Sequence, residues 1–563
     1  MTDAPVLEIR DLHVGLHTNR GWIDAVDGVD LTLRRGEIFG LVGESGSGKS
    51  MTGAAIAGLL PRSAHVRGSI VVDGRELVGL DRRSYDRLRA RTFGMIFQHP
   101  MAALDPRLSV GRQIGLALPQ ETRWSAAGRR RRTLELLSMV GVPGGVQRME
   151  SYPHELSGGL AQRVVIAMAL ARDPQILIAD EPTTALDVRV QARILDLLVS
   201  LQAELGLSVL LISHDLALVA DRSDRVAVMR AGRILETGPA GEVLERPREE
   251  YTAELVAASP RLEAALTASA PELVQAPVVE VSGLTKTFRV SMRGQRDRTL
   301  TALDGIDLTV HRGEALGIVG ESGCGKSTLA RVIAGVLDAD SGSVTYGGPD
   351  PSTFDRRARR RWRRRVQLVF QDQMSSLDPR QSVGATVAEP LQIHRIGSRG
   401  ERKGIVRRLL QDVGLDPALE SRRPTQMSGG QRQRVGIARA LALEPEILIA
   451  DESVSSLDVT TQARILAKLR ELKERRELTL IFISHDLAVT AELCSRIVVM
   501  RKGRIVEIGA SADLLTNPAH PYTQSLLAAL PASQRRVLSA RTDVDSVPAD
   551  PGASGMEAPQ REE

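Results

Sequence analysis

The chain has 563 residues, of which 42% are hydrophobic and 25% charged, with a net charge of +5 and only two cysteines, Cys324 and Cys494. That length exceeds what one hydrophobic core fills, two cysteines cannot build a disulfide framework or zinc-binding clusters, and so small a charge speaks against nucleic acid as a partner. No apolar run approaches the about 18 residues that a membrane helix needs, and Met1-Thr2-Asp3-Ala4-Pro5 lacks the basic and apolar regions of a signal peptide, so a reducing cytoplasm is expected.

In chain order, strand-like alternation runs through Val6–Ile9 and Val29–Leu33, and the apolar run Ile38–Val42 leads into Gly43-Glu44-Ser45-Gly46-Ser47-Gly48-Lys49-Ser50. This octet fits G-x-x-x-x-G-K-[ST]. Its glycines let backbone N–H groups curl around terminal phosphates, the lysine reaches the β and γ groups, and the serine hydroxyl ligates Mg²⁺. The Ala/Ile-rich segment that follows predicts a helix, so the loop sits at a helix N-terminus, where anions are favoured. Further on, Ile176-Leu177-Ile178-Ala179 ends in Asp180-Glu181. A continuous apolar run suits a strand buried on both faces of a parallel sheet, and charged residues at its C-terminal end lie where open α/β sheets bind ligands. Asp180 is placed to hold Mg²⁺ and Glu181 to polarise the water that attacks the γ-phosphate. Val209–Ile212 then precedes Ser213-His214-Asp215, whose imidazole can donate to the γ-phosphate.

The whole arrangement then recurs. Val278–Val281, Ile306–Val310 and Ala315–Val319 lead into Gly320-Glu321-Ser322-Gly323-Cys324-Gly325-Lys326-Ser327, and Asp451-Glu452 and Ser484-His485-Asp486 follow. Asp180 and Asp451, His214 and His485, and Tyr251 and Tyr522 are each 271 residues apart, which marks tandem duplication of a domain. The domains expected are 1–261 and 278–533, joined by an Ala/Ser/Thr/Pro linker at 262–277, with a disordered tail at 534–563. The basic run Arg356–Arg365 reads as a solvated helical face, with attraction to anionic lipid headgroups as the alternative, each residue then contributing about 1 kcal/mol.

Two further stretches, Leu156-Ser157-Gly158-Gly159 and Met427-Ser428-Gly429-Gly430-Gln431-Arg432-Gln433-Arg434, bring a resemblance into view. Together with both phosphate loops, Gln98, Gln371, and the turns Ala185-Leu186-Asp187 and Ser456-Leu457-Asp458, they resemble the ATP-binding-cassette ATPases over nearly all of residues 1–531. More narrowly, Phe97-Gln98 and Phe370-Gln371-Asp372, the following Leu104-Asp105-Pro106 and Leu377-Asp378-Pro379, the run Asp180–Asp187 and the C-terminal His520-Pro521-Tyr522-Thr523 are similar to ATPase subunits of bacterial oligopeptide, dipeptide and nickel importers, here fused in one chain.

The resemblance implies an α/β fold of two tandem P-loop NTPase domains, each with a RecA-like core, an antiparallel β subdomain and a helical subdomain. It implies an ATPase at the cytoplasmic face of the membrane that energises import of peptides, with ATP and Mg²⁺ as cofactors, two transmembrane permease subunits and an extracytoplasmic solute-binding protein as partners. An importer of nickel or glutathione-like solutes shares the same pattern. Many relatives carry a C-terminal cysteine cluster for an iron-sulfur centre, and with Cys494 alone there no such centre is expected. By residue, Gly43, Ser45, Gly46, Gly48, Lys49 and Ser50, and in the second cassette Gly320, Ser322, Gly323, Gly325, Lys326, Ser327 and Thr328, are implied to hold nucleotide. The implied metal contacts are Ser50, Gln98, Asp180, Ser327, Gln371 and Asp451, and the implied catalytic residues Glu181, His214, Glu452 and His485. Phe288 is implied to stack on adenine. Ser157, Gly158 and Gly159 are implied to close the Lys326 loop, and Ser428, Gly429, Gly430 and Gln431 the Lys49 loop. Twin-cassette ATPases acting on ribosomes share these motifs but place a long charged arm between cassettes, which the short linker argues against. Cassette ATPases of DNA repair carry zinc-binding cysteines that this chain lacks.

The two copies depart unequally from the family pattern. Met51 stands where Thr328 offers a hydroxyl, Leu16 stands where Phe288 offers an aromatic ring, and Leu160-Ala161 replace Gln431-Arg432. Stacking on a base contributes roughly 1–3 kcal/mol, so both sites are expected to hydrolyse ATP while the Lys49 site binds it more weakly unless His17 or Trp22 substitutes.

Overall fold

The computed structural model describes residues 5–18, 21–120, 122–183, 186–260, 262–267, 276–290, 298–371, 376–454 and 457–545; Ala185, Asp372 and Ser456 of the family motifs lie outside them. The first cassette contains β1 (Pro5–Thr18), β2 (Gly21–Arg34), β3 (Ile38–Val42), β4 (Ala64–Val72), β5 (Arg75–Glu76), β6 (Phe93–Ile96), β7 (Ile176–Asp180), β8 (Ser208–Ser213), β9 (Arg225–Arg230) and β10 (Arg233–Pro239). The second contains β11 (Pro277–Val290), β12 (Arg298–His311), β13 (Ala315–Val319), β14 (Ser341–Thr345), β15 (Val366–Val369), β16 (Ile447–Asp451), β17 (Thr479–Ile483), β18 (Arg496–Arg501) and β19 (Arg504–Ala510).

Each cassette has two sheets. An antiparallel one runs β2-β1-β4-β5 in the first half and β12-β11-β14 in the second. The other runs β10-β9-β3-β8-β7-β6 and β15-β16-β17-β13-β18-β19, parallel except at the β10 and β19 edges. β3, β8, β13 and β17 lie inside this sheet with every residue buried, as their central apolar runs require. Register sets the chemistry. Val42 pairs with Ser213 and Asp180 with Ile212, so the residues after β3, β7 and β8 emerge together at one end of the sheet. One core layer packs this sheet on the antiparallel one around Leu7, Phe39, Ile56 and Leu210, and another packs it on helices around Leu136, Ile166 and Leu195. The helical subdomain is built on Val110–Ala117, Ala126–Met139 and Gly158–Leu170, repeated as Val383–Ile393, Arg399–Asp412 and Gly429–Leu441. The tandem cassette fold implied by the motifs is thus the fold observed.

The segments between and after the cassettes differ from their compositional reading. Leu262–Thr267 is a helix, and its Leu262, Ala265 and Leu266 are buried with Leu487, Leu514 and Leu526 of the second cassette. Their i, i+3, i+4 spacing is that of an apolar helical stripe, masked by an Ala/Ser/Thr-rich composition. Ala532–Asp545, overlapping the expected disordered tail, is also helical. It returns to the first cassette, where Gln534 Nε2 donates to Pro260 O at 3.2 Å and the Ala532 N–H donates to Asp221.

Arg356–Arg365 is a helix capped by Asp355, with Trp362 buried beneath it and Arg356, Arg357, Arg360, Arg361, Arg363 and Arg364 exposed, which is the solvated-face reading. Among the described residues no helix is long and apolar enough to cross a membrane.

Candidate active sites at the two phosphate loops

Close backbone approach fixes the glycines of the loops. A Cβ on Gly43, at φ +152°, would lie 2.1 Å from Met229 O, and one on Gly48, at φ +106°, 2.4 Å from Ala25 O. Gly320 and Gly325 meet Met500 O and Ala302 O in the same way, at 2.2 and 2.3 Å. The helices Lys49–Ile56 and Lys326–Ile333 start on these glycines without a side-chain cap, which leaves their first amides directed at the loop as anion donors. Ser45, Gly46, Ser322 and Gly323 form the exposed crests of the two loops.

Both lysines lie buried inside their loops. Lys49 Nζ donates to Gly43 O at 2.8 Å and Glu44 O at 2.7 Å; Lys326 Nζ donates to Gly320 O at 2.7 Å and Glu321 O at 3.0 Å. Burial pulls the Lys49 pKa below the usual lysine range, against the opposing charges of Glu181 and Asp180. Ser50 Oγ donates to Asp180 Oδ1 at 2.8 Å, and Ser327 Oγ to Asp451 Oδ1 at 2.9 Å. Both carboxyls are pushed above the ordinary aspartate value, chiefly by burial, with the neighbouring glutamate adding to it.

Glu181 and Glu452, one residue past β7 and β16, adopt φ of 45° and 43°. A left-handed conformation costs a non-glycine residue about 1–3 kcal/mol, and here it turns each carboxylate back from the strand end toward the loop. Their N–H groups donate to Ile212 O and Ile483 O at 2.9 Å, which anchors the turn to the neighbouring strand. Gln98 Nε2 donates to Glu181 Oε2 at 2.6 Å, and Gln371 donates likewise to Glu452. His214 Nδ1 is 3.3 Å from Glu181 Oε1. Burial works to lower the His214 pKa, but the hydrogen bond and charge of Glu181 outweigh it and hold the imidazole above its ordinary value. In the second cassette Lys326 Nζ approaches Glu452 Oε1 to 3.7 Å, while His485 lies half-buried just past β17.

Among the described residues no group of three His, Cys, Asp or Glu could hold a metal by itself. Each loop instead brings one serine hydroxyl against one aspartate carboxylate, hard oxygen donors that would suit Mg²⁺. Gln98 and Gln371, implied as metal contacts by sequence, are bonded to the glutamates.

The signature turns face the opposite cassette through a helix. Ser157 and Ser428 cap helices Gly158–Leu170 and Gly429–Leu441, and Gln431 Oε1 accepts from Ser428 N at 3.1 Å to close a capping box that Leu160 cannot form. A Cβ on Gly159 would lie 2.6 Å from Val190, and one on Gly430 2.5 Å from Thr461, so each turn rests on the helix that starts after Asp187 or Asp458. The first turn of that helix crosses over: Arg189 Nη1 meets Glu321 Oε1 at 2.7 Å, and the Thr460 hydroxyl donates to Glu44. The tyrosine-bearing helices Glu250–Ala258 and Pro521–Leu527 pack on Val459–Arg476 and Val188–Leu205 of the opposite cassette.

Sequence reasoning missed the tyrosines on those helices. The Tyr251 hydroxyl accepts from Glu44 N at 3.2 Å, and the Tyr522 hydroxyl from Glu321 N at 2.9 Å. Their shared offset of 271 was the available signal.

The departures have structural settings. Met51 packs against the core of the antiparallel sheet, whereas Thr328 is half-buried behind its loop. Phe288 is 38% exposed on β11. In the first cassette Leu16 is half-buried, but Trp22 is 51% exposed, and its ring covers Gly15, where a Cβ would stand 2.0 Å from Trp22 Cζ2. Both sequence candidates, His17 and Trp22, are exposed, and Trp22 has the larger ring.

Comparison with known proteins shows the family. Residues 26–184 and 303–455 match the family described as ABC transporter, and residues 235–281 and 506–551 the one described as oligopeptide/dipeptide transporter, C-terminal region. The chain is 45% identical to the peptidoglycan transport ATP-binding protein YejF of Agrobacterium fabrum, over 93% of this chain and 96% of that protein. It is 41% identical to the oligopeptide transport ATP-binding protein OppD of Mycobacterium tuberculosis (94% and 98% covered) and 39% to the glutathione import ATP-binding protein GsiA of Pectobacterium atrosepticum (99% and 95%). Among solved structures, that of RNase-L Inhibitor aligns over 89% of this chain and 90% of its own with a TM-score of 0.58 at 21% identity, a likeness of fold alone. The chain belongs to the ATP-binding-cassette transporter ATPases, with two cassettes of the oligopeptide/dipeptide transporter type in one polypeptide.

Proposed function

We propose that this ATPase energises import of peptides or a related small solute by hydrolysing ATP at two composite sites, one at the Lys49 loop and one at the Lys326 loop. The carrying observation is that each loop holds a buried lysine, a serine-aspartate pair and a left-handed glutamate in one cassette, and is touched by the signature side of the other. Relatives named for peptidoglycan, oligopeptide and glutathione transport support the solute class, and similarity to structures such as that of an archaeal ribosome recycling factor, at 21% identity, extends to the fold only.

In this reading Lys49 and Lys326 leave the loop carbonyls for the β and γ oxygens, and the loop amides cradle the phosphates. Ser50 with Asp180, and Ser327 with Asp451, are the residues that would hold Mg²⁺, which when bound neutralises charge on the transferring phosphoryl group. Glu181 and Glu452 orient the attacking water, His214 and His485 donate to the γ-phosphate, and Gln98 and Gln371 tie each glutamate to the strand end after β6 and β15. Ser157 to Gly159 and Ser428 to Gln431 complete the sites across the interface. Trp22 and Phe288 carry the adenines. The chain acts from the cytoplasmic face, bound to two permease subunits, with a solute-binding protein on the far side.

The test is ATP hydrolysis by the chain assembled with its two permeases. Peptide is expected to stimulate turnover, and Glu181→Gln with Glu452→Gln to abolish it. Turnover that persists in the double variant, or that rises equally without any peptide, defeats the reading.

A further inference from the structure

We propose that Arg189, Glu321 and Tyr522 form an ion-pair latch by which the first cassette positions the phosphate loop of the second, and that the Lys49 loop has only a weaker hydroxyl version of it. The inference rests on the two-site ATPase reading and adds Arg189 as a positioning residue for the Lys326 site.

Around Glu321 every group of one residue is engaged. Its N–H donates to the Tyr522 hydroxyl at 2.9 Å, its carbonyl accepts from Lys326 Nζ at 3.0 Å, and its carboxylate meets Arg189 Nη1 at 2.7 Å. Arg189 also lies 5.3 Å over the Tyr522 ring, and Arg501 packs on the same ring at 4.9 Å. Tyr522 is 2% exposed and Arg189 16%, so water competes little for them, while the Glu321 carboxylate, at 39%, keeps one side in solvent. A pull on the Glu321 side chain is therefore transmitted to the backbone of the phosphate loop, through a residue whose N–H and carbonyl are both held.

The first loop repeats this set with one member changed. Glu44, Tyr251 and Arg230 stand where Glu321, Tyr522 and Arg501 stand, and Arg230 lies 4.4 Å from the Tyr251 ring. Opposite Glu44, however, Thr460 takes the place of Arg189. A hydroxyl carries a single hydrogen, and Thr460 Oγ1 lies within bonding distance of both the Glu44 carboxylate and, at 2.9 Å, Asp458 Oδ1, so it can satisfy only one. A guanidinium has five N–H donors and a permanent charge. The latch therefore acts at the Lys326 loop with charge and at the Lys49 loop without it.

The experiment measures binding of trinitrophenyl-ATP to the full chain, using Lys49→Ala to report the Lys326 site and Lys326→Ala to report the Lys49 site. Arg189→Ala is expected to weaken the Lys326 site about tenfold and leave the Lys49 site unchanged, and Arg189→Lys to recover most of the loss. Tyr522→Phe should weaken the Lys326 site a few-fold, and Thr460→Arg should tighten the Lys49 site by about as much. Added salt should weaken the Lys326 site more steeply than the Lys49 site, a difference that Arg189→Ala removes. Equal losses at both sites from Arg189→Ala, or none at either, overturn the latch while the parent proteins still bind nucleotide. Parents that bind none overturn the two-site reading and the latch together.

Discussion

The first and second cassettes carry the same six-stranded sheet, phosphate loops and glutamates, yet the surroundings of their loops are finished with different materials. Around the Lys326 loop stand an ionic contact from the opposite cassette, an exposed phenylalanine and a threonine hydroxyl; around the Lys49 loop stand a shared hydroxyl contact, a tryptophan laid over a glycine and a methionine turned into the core. The signature turns differ as well: Ser428 and Gln431, proposed to complete the Lys49 site, form a capping box that Ser157 and Leu160 do not. The two halves thus keep the lysine, serine, aspartate and glutamate proposed to act on phosphate and differ in the groups around them. A fused chain permits this, since each loop always meets the same partner.

The strongest challenge to that comparison is removal of one glutamate at a time. Glu181→Gln and Glu452→Gln are each expected to slow their own site about 10²- to 10⁴-fold, so turnover left in either single variant reports the other site. Single-turnover hydrolysis checks it, and one silent site in the parent chain would replace inequality with outright division of labour. Next in size are the aromatics. Phe288→Ala and Trp22→Ala should each weaken nucleotide at their own site by about five- to a hundredfold, from the roughly 1–3 kcal/mol of base stacking; a Trp22→Ala protein that binds normally at the Lys49 site would remove its proposed adenine contact.

A thiol probe separates the sites chemically. Cys324 lies in the second loop where Ser47 lies in the first, and burial pushes its thiol above the usual cysteine value. Maleimide is expected to act slowly, faster as pH rises beyond the ordinary thiol range, and to remove only the Lys326 site's share of turnover, with ATP protecting. Loss of both sites would mean that the two are obligatorily coupled.

Smaller effects concern protonation and capping. The His214 pKa is raised in the fold, so its pairing with Glu181 stabilises the chain fully below an imidazole's ordinary value and is lost as pH rises through the raised one. Melting of His214→Gln should therefore fall short of wild type by up to about 1 kcal/mol at pH 6 and by less at pH 8.5. Leu160→Gln should add about 0.5 kcal/mol to the first cassette by rebuilding the capping box, visible as a melting shift of about a degree or two.

The strand ends that carry the candidate sites were legible because their pattern is local: glycines, lysine and serine lie within eight residues, and an apolar run ending in Asp180-Glu181 announces a buried strand with acids at its end. Doubling made each motif stronger. Contacts fixed by assembly were not legible. Arg189 and Glu321 are 132 residues apart, and a tyrosine beyond the last strand has no chemistry in sequence that aims it at a loop amide. Trp22 depended on hairpin register, which pairs it with His17 and lays its ring across Gly15. The helix Leu262–Thr267 was hidden because composition, read in bulk, outweighed the spacing of three apolar residues.

That helix is seated on the second cassette, and the one at Ala532–Asp545 bonds back to the first. Two such straps keep the halves in each other's presence at the millimolar effective concentration typical of a short tether. Encounter is then an intramolecular step, so dilution of the chain is not expected to part the two cassettes.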